Sequence, residues 1–184
     1  MIPDPALYLS HLLPLELEKN LSLGDGFRGR QIFRWISRGI HTFHDMTDLP
    51  ADLRAELAVR FPDIYSSTII GQFTDDDGSA KLQIKLADHS VIEAVLLVDQ
   101  HSRKTACLST QVGCAMQCAF CKTGTLGLKR NLEAYEITEQ FFHLMNKYGT
   151  ISNIVFMGMG EPLLNLENVR KAIGIFLSPE GLKI

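Results

Sequence analysis

The sequence predicts an α/β fold in three parts. A small helical domain covers residues 1–63, an antiparallel β-hairpin segment covers 64–99, and the first βα units of an incomplete, truncated (β/α) barrel cover 100–184. Three observations predict it. Apolar residues in the first third recur at i, i+4 and i+8, the period of a helix facing a core. Between residues 66 and 98 the period falls to two, as in half-buried strands. From about residue 100, short apolar runs alternate with amphipathic stretches, which implies strands and helices alternating on a parallel sheet. With 184 residues, 46% apolar and 21% charged, and a formal net charge of −3, the chain has material for a core and too little net charge for disorder.

In the first part Ile32, Ile36 and Ile40 keep the helical spacing, with Phe33 and Trp35 beside them. Leu53, Leu57 and Phe61 repeat it after Pro50, a residue favoured in a first helical turn, and Pro62 stops that helix. Arg30, Arg34 and Arg38 form a second stripe on the 32–40 helix. Such a stripe is a solvated face or a phosphate-contacting one, and the solvated face is the commoner.

In the second part Ala80, Leu82, Ile84 and Leu86 alternate with Lys81, Gln83 and Lys85, behind an Asp77-Gly78 turn signal. A further strand over about 90–98 follows a turn at Asp88-His89. Glu93 lies on it, flanked by Ile92 and Ala94 and in phase with Val91 and Val95. A carboxylate on an apolar strand face is a candidate proton acceptor, because desolvation favours its protonated form. A carboxylate facing water on an edge strand is ordinary surface.

In the third part Thr105 to Ser109 reads as a strand leading into a cysteine-rich loop. Ile137, Phe141, Leu144 and Met145 mark a helix ended by Gly149 at a C-cap. Ile154 to Met157 is an apolar run suited to a buried parallel strand. Val169, Ile173 and Phe176 mark another helix, with Asn165 as its N-cap. A complete (β/α)8 barrel takes roughly 250 residues, or about 30 for each βα unit. Residues 100–184 therefore hold only the first units.

The start, Met-Ile-Pro-Asp-Pro, has no basic segment followed by an apolar core, so no secretory signal is expected. Apolar runs such as Ala94 to Val98 are too short to span a bilayer. The expectation is a cytoplasmic protein without membrane contact. Its net charge makes no general case for nucleic-acid binding, which would have to come from local basic patches.

Cys114, Cys118 and Cys121 lie within eight residues, in a C-x3-C-x2-C spacing. In a reducing compartment such spacing reads as metal binding. Iron–sulfur clusters are commonly held by four thiolates, so three protein ligands leave one iron open. A structural zinc site is the alternative, and it wants four ligands. Cys107 is the available fourth, but it lies seven residues before Cys114, and no histidine lies in the loop. Phe120, between the second and third cysteines, is placed to pack on a bound ligand.

After the next strand comes Gly158-Met159-Gly160-Glu161-Pro162. It is no dinucleotide fingerprint, because Leu163 occupies the place of the third glycine. Two glycines let a ligand approach the backbone closely, and Glu161 offers an acceptor for a ligand ammonium group. Alone, the motif is equally an ordinary turn. Together, the cysteine loop and this turn follow two strands, at the end where α/β folds place their sites.

Cys114, Cys118, Phe120 and Cys121, as C-x3-C-x-aromatic-C, resemble the signature of the radical S-adenosylmethionine enzymes. More narrowly, the chain resembles the dual-specificity ribosomal and transfer RNA adenine-C2 methyltransferases. The stretches that carry the likeness are Gly29-Arg30-Gln31-Ile32-Phe33-Arg34-Trp35-Ile36, Cys107-Leu108-Ser109-Thr110-Gln111-Val112-Gly113-Cys114, Arg130-Asn131-Leu132 and Gly158-Met159-Gly160-Glu161-Pro162-Leu163-Leu164-Asn165. It extends over nearly the whole chain.

The resemblance implies roles. Cys114, Cys118 and Cys121 would hold a [4Fe-4S] cluster, whose open iron takes the amino and carboxylate groups of S-adenosylmethionine. Gly160 and Glu161 would bind that cofactor, with Phe120 near it. Glu93 falls where the family has its proton acceptor, and Cys107 becomes the resolving cysteine instead of a fourth metal ligand. The implied reaction runs through a methylated cysteine, a carbon radical that adds to adenine C2, and a protein–RNA crosslink. Proton loss from C2 and attack by Cys107 would release the RNA and leave a disulfide.

The implied partners are 23S rRNA, tRNA and a flavodoxin-like or ferredoxin-like electron donor, with the protein a monomer. The family's methyl-carrying cysteine lies far toward the C-terminus, and no cysteine follows Cys121 here. The expectation is that these 184 residues hold part of the site and do not turn over alone. Two other readings stand beside this one. One is methylation at C8 of the same adenosine, as in the related antibiotic-resistance enzymes. The other is a non-catalytic, zinc-stabilised RNA-binding module.

Overall fold

The computed structural model describes residues 8–24, 26–61 and 63–184. Three helices open the chain: α1 (Pro14–Leu21), α2 (Arg28–Ile36) and α3 (Ala51–Arg60). Pro14 starts α1, where its missing N–H costs nothing. α1 lies close against α2 at Gly29, where a Cβ would come within 2.3 Å of the Pro14 carbonyl. The Glu18 carboxylate accepts the Gly29 N–H there at 2.7 Å.

α2 buries Ile32, Phe33 and Ile36 and leaves Arg30 and Arg34 exposed. It stops short of Ile40, because Gly39 takes a left-handed φ of 79°. The Gly39 carbonyl accepts a 2.7 Å hydrogen bond from Asn146, which docks the turn onto a later helix. Arg38 covers the Trp35 ring, its Cζ 5.0 Å from the centroid. Pro50 is the N-cap of α3 and not a first-turn residue, and the helix ends at Arg60 ahead of buried Phe61. Pro62, expected to stop it, and the first five residues lie outside the described residues.

Five strands form one sheet in the order β1 (Thr68–Thr74), β2 (Ala80–Lys85), β3 (Val91–Val98), β4 (Lys104–Cys107) and β7 (Asn153–Val155). The first three junctions are antiparallel and β4–β7 is parallel. The antiparallel hairpins and the first parallel pair are therefore continuous. The turns expected at Asp77-Gly78 and Asp88-His89 join β1 to β2 and β2 to β3, with Gly78 and His89 both at positive φ. A second, two-stranded sheet pairs β5 (Gln111–Gly113) with β6 (Leu128–Asn131). Nothing in the sequence pattern announces it. α4 (Ala134–Tyr148) ends at Gly149, φ 80°, as the sequence predicts, and α5 (Leu166–Leu177) follows β7.

The pleat sorts the residues. Leu82, Ile84, Ile92, Ala94 and Leu96 are buried, in one hydrophobic cluster with Phe141 and Phe142 of α4, Phe176 of α5 and Ile32 of α2. The alternate positions make the other face. Across it, Phe73, Lys81, Val95, Cys107 and Val155 stand in one register row, and Gln83 faces Glu93 in the next. No helix among the described residues is long and apolar enough to cross a membrane.

Candidate functional site

β4 ends at Cys107, and the chain crosses to β5 through Leu108, Ser109 and Thr110. Ser109 is fully buried and fully bonded. Its hydroxyl donates to the Glu93 carbonyl at 2.6 Å and accepts the Met159 N–H at 2.9 Å. Its own N–H and carbonyl are both taken by the Gln140 amide of α4, at 2.8 and 3.0 Å. A buried polar residue offsets its desolvation only when its groups are bonded, as those of Ser109 are.

The same web reaches the glycine turn. The Met159 carbonyl accepts both the Thr110 and Gln111 N–H groups. The Gln111 side chain accepts the Glu161 N–H at 2.9 Å and donates to Asn131 at 2.8 Å. Asn165 does not cap α5 with its side chain. It donates instead to the Thr110 and Leu132 carbonyls at 2.8 and 2.7 Å. The glycines are required by this crossing. A Cβ on Gly158 would lie 2.8 Å from the Leu108 backbone, and one on Gly160, φ 104°, would lie 2.6 Å from the Gln111 side chain. Glu161 uses one carboxylate oxygen to accept the Leu163 N–H at 3.1 Å. Packing alone thus accounts for both glycines.

The β5–β6 ladder is the neck of the cysteine loop. At Gly113, φ 78°, a Cβ would fall 1.8 Å from the Gly127 carbonyl, which also accepts the Cys114 N–H at 3.0 Å. Cys114 is buried at the neck, and Cys118 and Cys121 are half-buried further out. The Cys121 N–H donates to the Cys118 carbonyl at 3.0 Å. Backbone N–H groups of Gly124 and Thr123 aim at the Cys121 sulfur and outweigh its desolvation, holding that thiol below its ordinary value. Phe120 is 94% exposed.

All four cysteines are free thiols. As the loop stands, no three His, Cys, Asp or Glu side chains among the described residues converge into a metal cage. The donor set itself fits a soft centre: three thiols on one necked loop, one of them held below its ordinary value by backbone donors.

Cys107 stands apart from the trio, on the sheet. Burial pushes its thiol up, partly offset by the Met157 N–H. Glu93 is on the same face, two residues from Val95, the register partner of Cys107. It belongs neither to an apolar face nor to an edge strand: β3 is central, and the Glu93 side chain is 38% exposed with Oε1 3.0 Å from Lys81 Nζ.

Sequence reasoning assigned no role to Arg130, which proves to be a clamp. Its guanidinium grips Glu136 of α4 bidentately at 2.7 and 2.8 Å and reaches Asp88 in the β2–β3 turn at 3.0 Å. Burial would raise the Asp88 carboxyl, but Arg130 and Ser90 hold it well below the usual carboxylate range. Ser109 and Gln111 were also missed as organisers, since one sequence carries no signal for which polar residue is buried.

Three of the four stretches singled out in the sequence are thus bonded to one another around the neck of the cysteine loop. Residues 21–61 match the family described as the ribosomal RNA large subunit methyltransferase N-terminal domain. A probable dual-specificity RNA methyltransferase RlmN of Treponema pallidum subsp. pallidum is 55% identical over 173 residues, 94% of this chain and 51% of that protein. The likeness to RlmN thus runs along nearly the whole of this chain, and along about half of each such relative. The probable RlmN of Thermus thermophilus is 43% identical over 178 residues, 94% of this chain and 48% of that protein. A solved structure of a radical SAM methyltransferase from Sphaerobacter thermophilus superposes with a TM-score of 0.88 at 38% identity, covering 96% of this chain and 54% of that one. The chain spans about half the length of the RlmN relatives it matches. The 21–61 segment is the helical part, so all the candidate site residues lie beyond it.

Proposed function

We propose that this chain is the catalytic N-terminal half of a radical SAM RNA methyltransferase that methylates C2 of adenosine in 23S rRNA and tRNA. The observation that carries the reading is a juxtaposition. Glu93 and Cys107 rise from one face of the sheet, while the cysteine loop and the Gly158–Glu161 turn are tied by Ser109 and Gln111 to the same strand ends. An aromatic C2–H has neither useful acidity nor nucleophilicity, so a polar methyl transfer cannot reach it. Cys114, Cys118 and Cys121 are the residues that would hold a [4Fe-4S] cluster. When bound, that cluster supplies the electron that cleaves S-adenosylmethionine and starts radical chemistry, drawing on a flavodoxin-like or ferredoxin-like donor.

The chain's own residues then bind, orient and finish. Glu161 offers its carboxylate to the cofactor ammonium, Gly160 contributes beside it, and Phe120 packs near the cofactor. Glu93 takes the proton that leaves C2 of the crosslinked adenine. Cys107 loses its proton and its thiolate attacks the sulfur of the methyl-carrying cysteine: a disulfide forms, the sulfur–carbon bond breaks, and the released methylene carbon keeps that electron pair and takes up a proton to become the methyl group. That cysteine does not occur after Cys121 in these 184 residues, so we propose that they do not turn over alone.

The test is anaerobic reconstitution with iron and sulfide. Iron with sulfur-to-iron charge-transfer absorbance is expected, whereas zinc without iron would favour a zinc-stabilised RNA-binding module. RNA treated with the 184-residue chain should contain no 2-methyladenosine by mass spectrometry. RNA treated with an active protein carrying these residues should contain 2-methyladenosine, and 8-methyladenosine in its place would move the target to C8.

A further inference from the structure

We propose that Lys81 is a positioning residue for Glu93, a role that rests on the proton-acceptor reading of Glu93 above. On the β2–β3 ladder Glu93 faces Gln83 and Lys81 faces Val95. Lys81 therefore reaches Glu93 along the diagonal, a span open to long side chains on an antiparallel pair. Its Nζ lies 3.0 Å from Glu93 Oε1. On the other side, Phe73 faces Lys81 across the β1–β2 ladder, with its ring centroid 5.5 Å from the same Nζ. An aromatic face attracts an ammonium group, so the cation is held between ring and carboxylate.

Glu93 Oε1 is thereby engaged, and Oε2 has no partner among the described residues. The row that holds Lys81 continues through Val95 to Cys107. One oxygen pinned and one free, on the face of the resolving thiol, is the arrangement a proton acceptor needs. Both partners are near 40% exposed (42% and 38%), and water screens such pairs strongly. The pair contributes little to stability, while misplacing a catalytic group by about 1 Å can cost on the order of a hundredfold in rate. Replacing Lys81 therefore tests positioning and not folding.

The experiment compares Glu93→Gln, Lys81→Met and Lys81→Arg in an active methyltransferase carrying these residues ahead of a half with the methyl-carrying cysteine. The readouts are the covalent protein–RNA adduct on denaturing gels and S-adenosylmethionine cleavage. Glu93→Gln should trap the adduct. Lys81→Met should slow adduct release by about tenfold to a hundredfold with cleavage unchanged, and Lys81→Arg should restore release. In the 184-residue chain, acetylation of Lys81 followed by mass spectrometry should be faster in Glu93→Gln than in the parent. If Glu93→Gln traps the adduct and Lys81→Met releases it at the parent rate, the positioning role is wrong. Loss of cleavage along with release in Lys81→Met marks a merely structural residue and overturns it too. If Glu93→Gln traps no adduct, the proton-acceptor reading has failed and takes this role with it.

Discussion

The two faces of the five-stranded sheet are built from alternate residues of the same strands, yet they do different work. On one face Leu82, Ile84, Ile92 and Ala94 are wholly removed from water against α4 and the N-terminal helices. On the other, Lys81, Glu93 and Cys107 stand in adjoining register rows, the first two partly open to water and Cys107 buried. The core and the proposed chemistry are separated by one residue of register. A single-residue slip would put Glu93 in the core and Ala94 in the site.

Four measurements break or sharpen that contrast. The largest effect is expected at Arg130, the clamp holding the sheet's turn to α4. Arg130→Met strands Glu136, only 2% exposed, without its partner, and should cost about 3–5 kcal/mol in urea unfolding. On the core face, Leu82→Ala should cost about 2–5 kcal/mol by the same measurement.

The third concerns pH. His11 and His143 are buried, and desolvation lowers each to about 4. A depressed histidine contributes stability present above its unfolded value of about 6.5 and lost as pH falls toward 4. Glu139, wholly buried under Ser66 and Ser67, is raised by desolvation to about 7. Its contribution is present below about 4.5 and lost as pH rises through 7, the opposite sign. Between about pH 4.5 and 6.5 the two histidines should outweigh the one carboxyl. Glu139→Gln should steepen the acid loss of stability by up to about 1.4 kcal/mol per pH unit, measured as urea unfolding against pH. A flatter profile would contradict the assignment. The smallest effect is on the open face, where Lys81→Met should change stability by less than about 1 kcal/mol. If it destabilises as much as Leu82→Ala, the division between the faces fails.

Much of this was legible in the amino-acid sequence. The alternation in β2 and β3, the two hairpin turns, α4 with its Gly149 cap and the cysteine spacing all follow from local periodicity and turn chemistry. The β5–β6 neck was not, since strands of three and four residues leave no periodic trace and are held by each other and by Gly113. The spacing of Ile40 fits α2, but Gly39 turns the chain one residue earlier to meet Asn146. The position of Asn165 suits a local cap, but its amide serves carbonyls 55 and 33 residues away.

By itself, then, the sequence determined element types, turn positions and a three-thiol loop, because these depend on residues within a few positions of one another. Only the tertiary structure decided that Lys81, Glu93 and Cys107 share a face and that Ser109 and Gln111 tie the cysteine loop to the glycine turn. Cross-strand register and buried hydrogen bonds join residues tens of positions apart, and they are set when the pleat, the turns and the core are satisfied together.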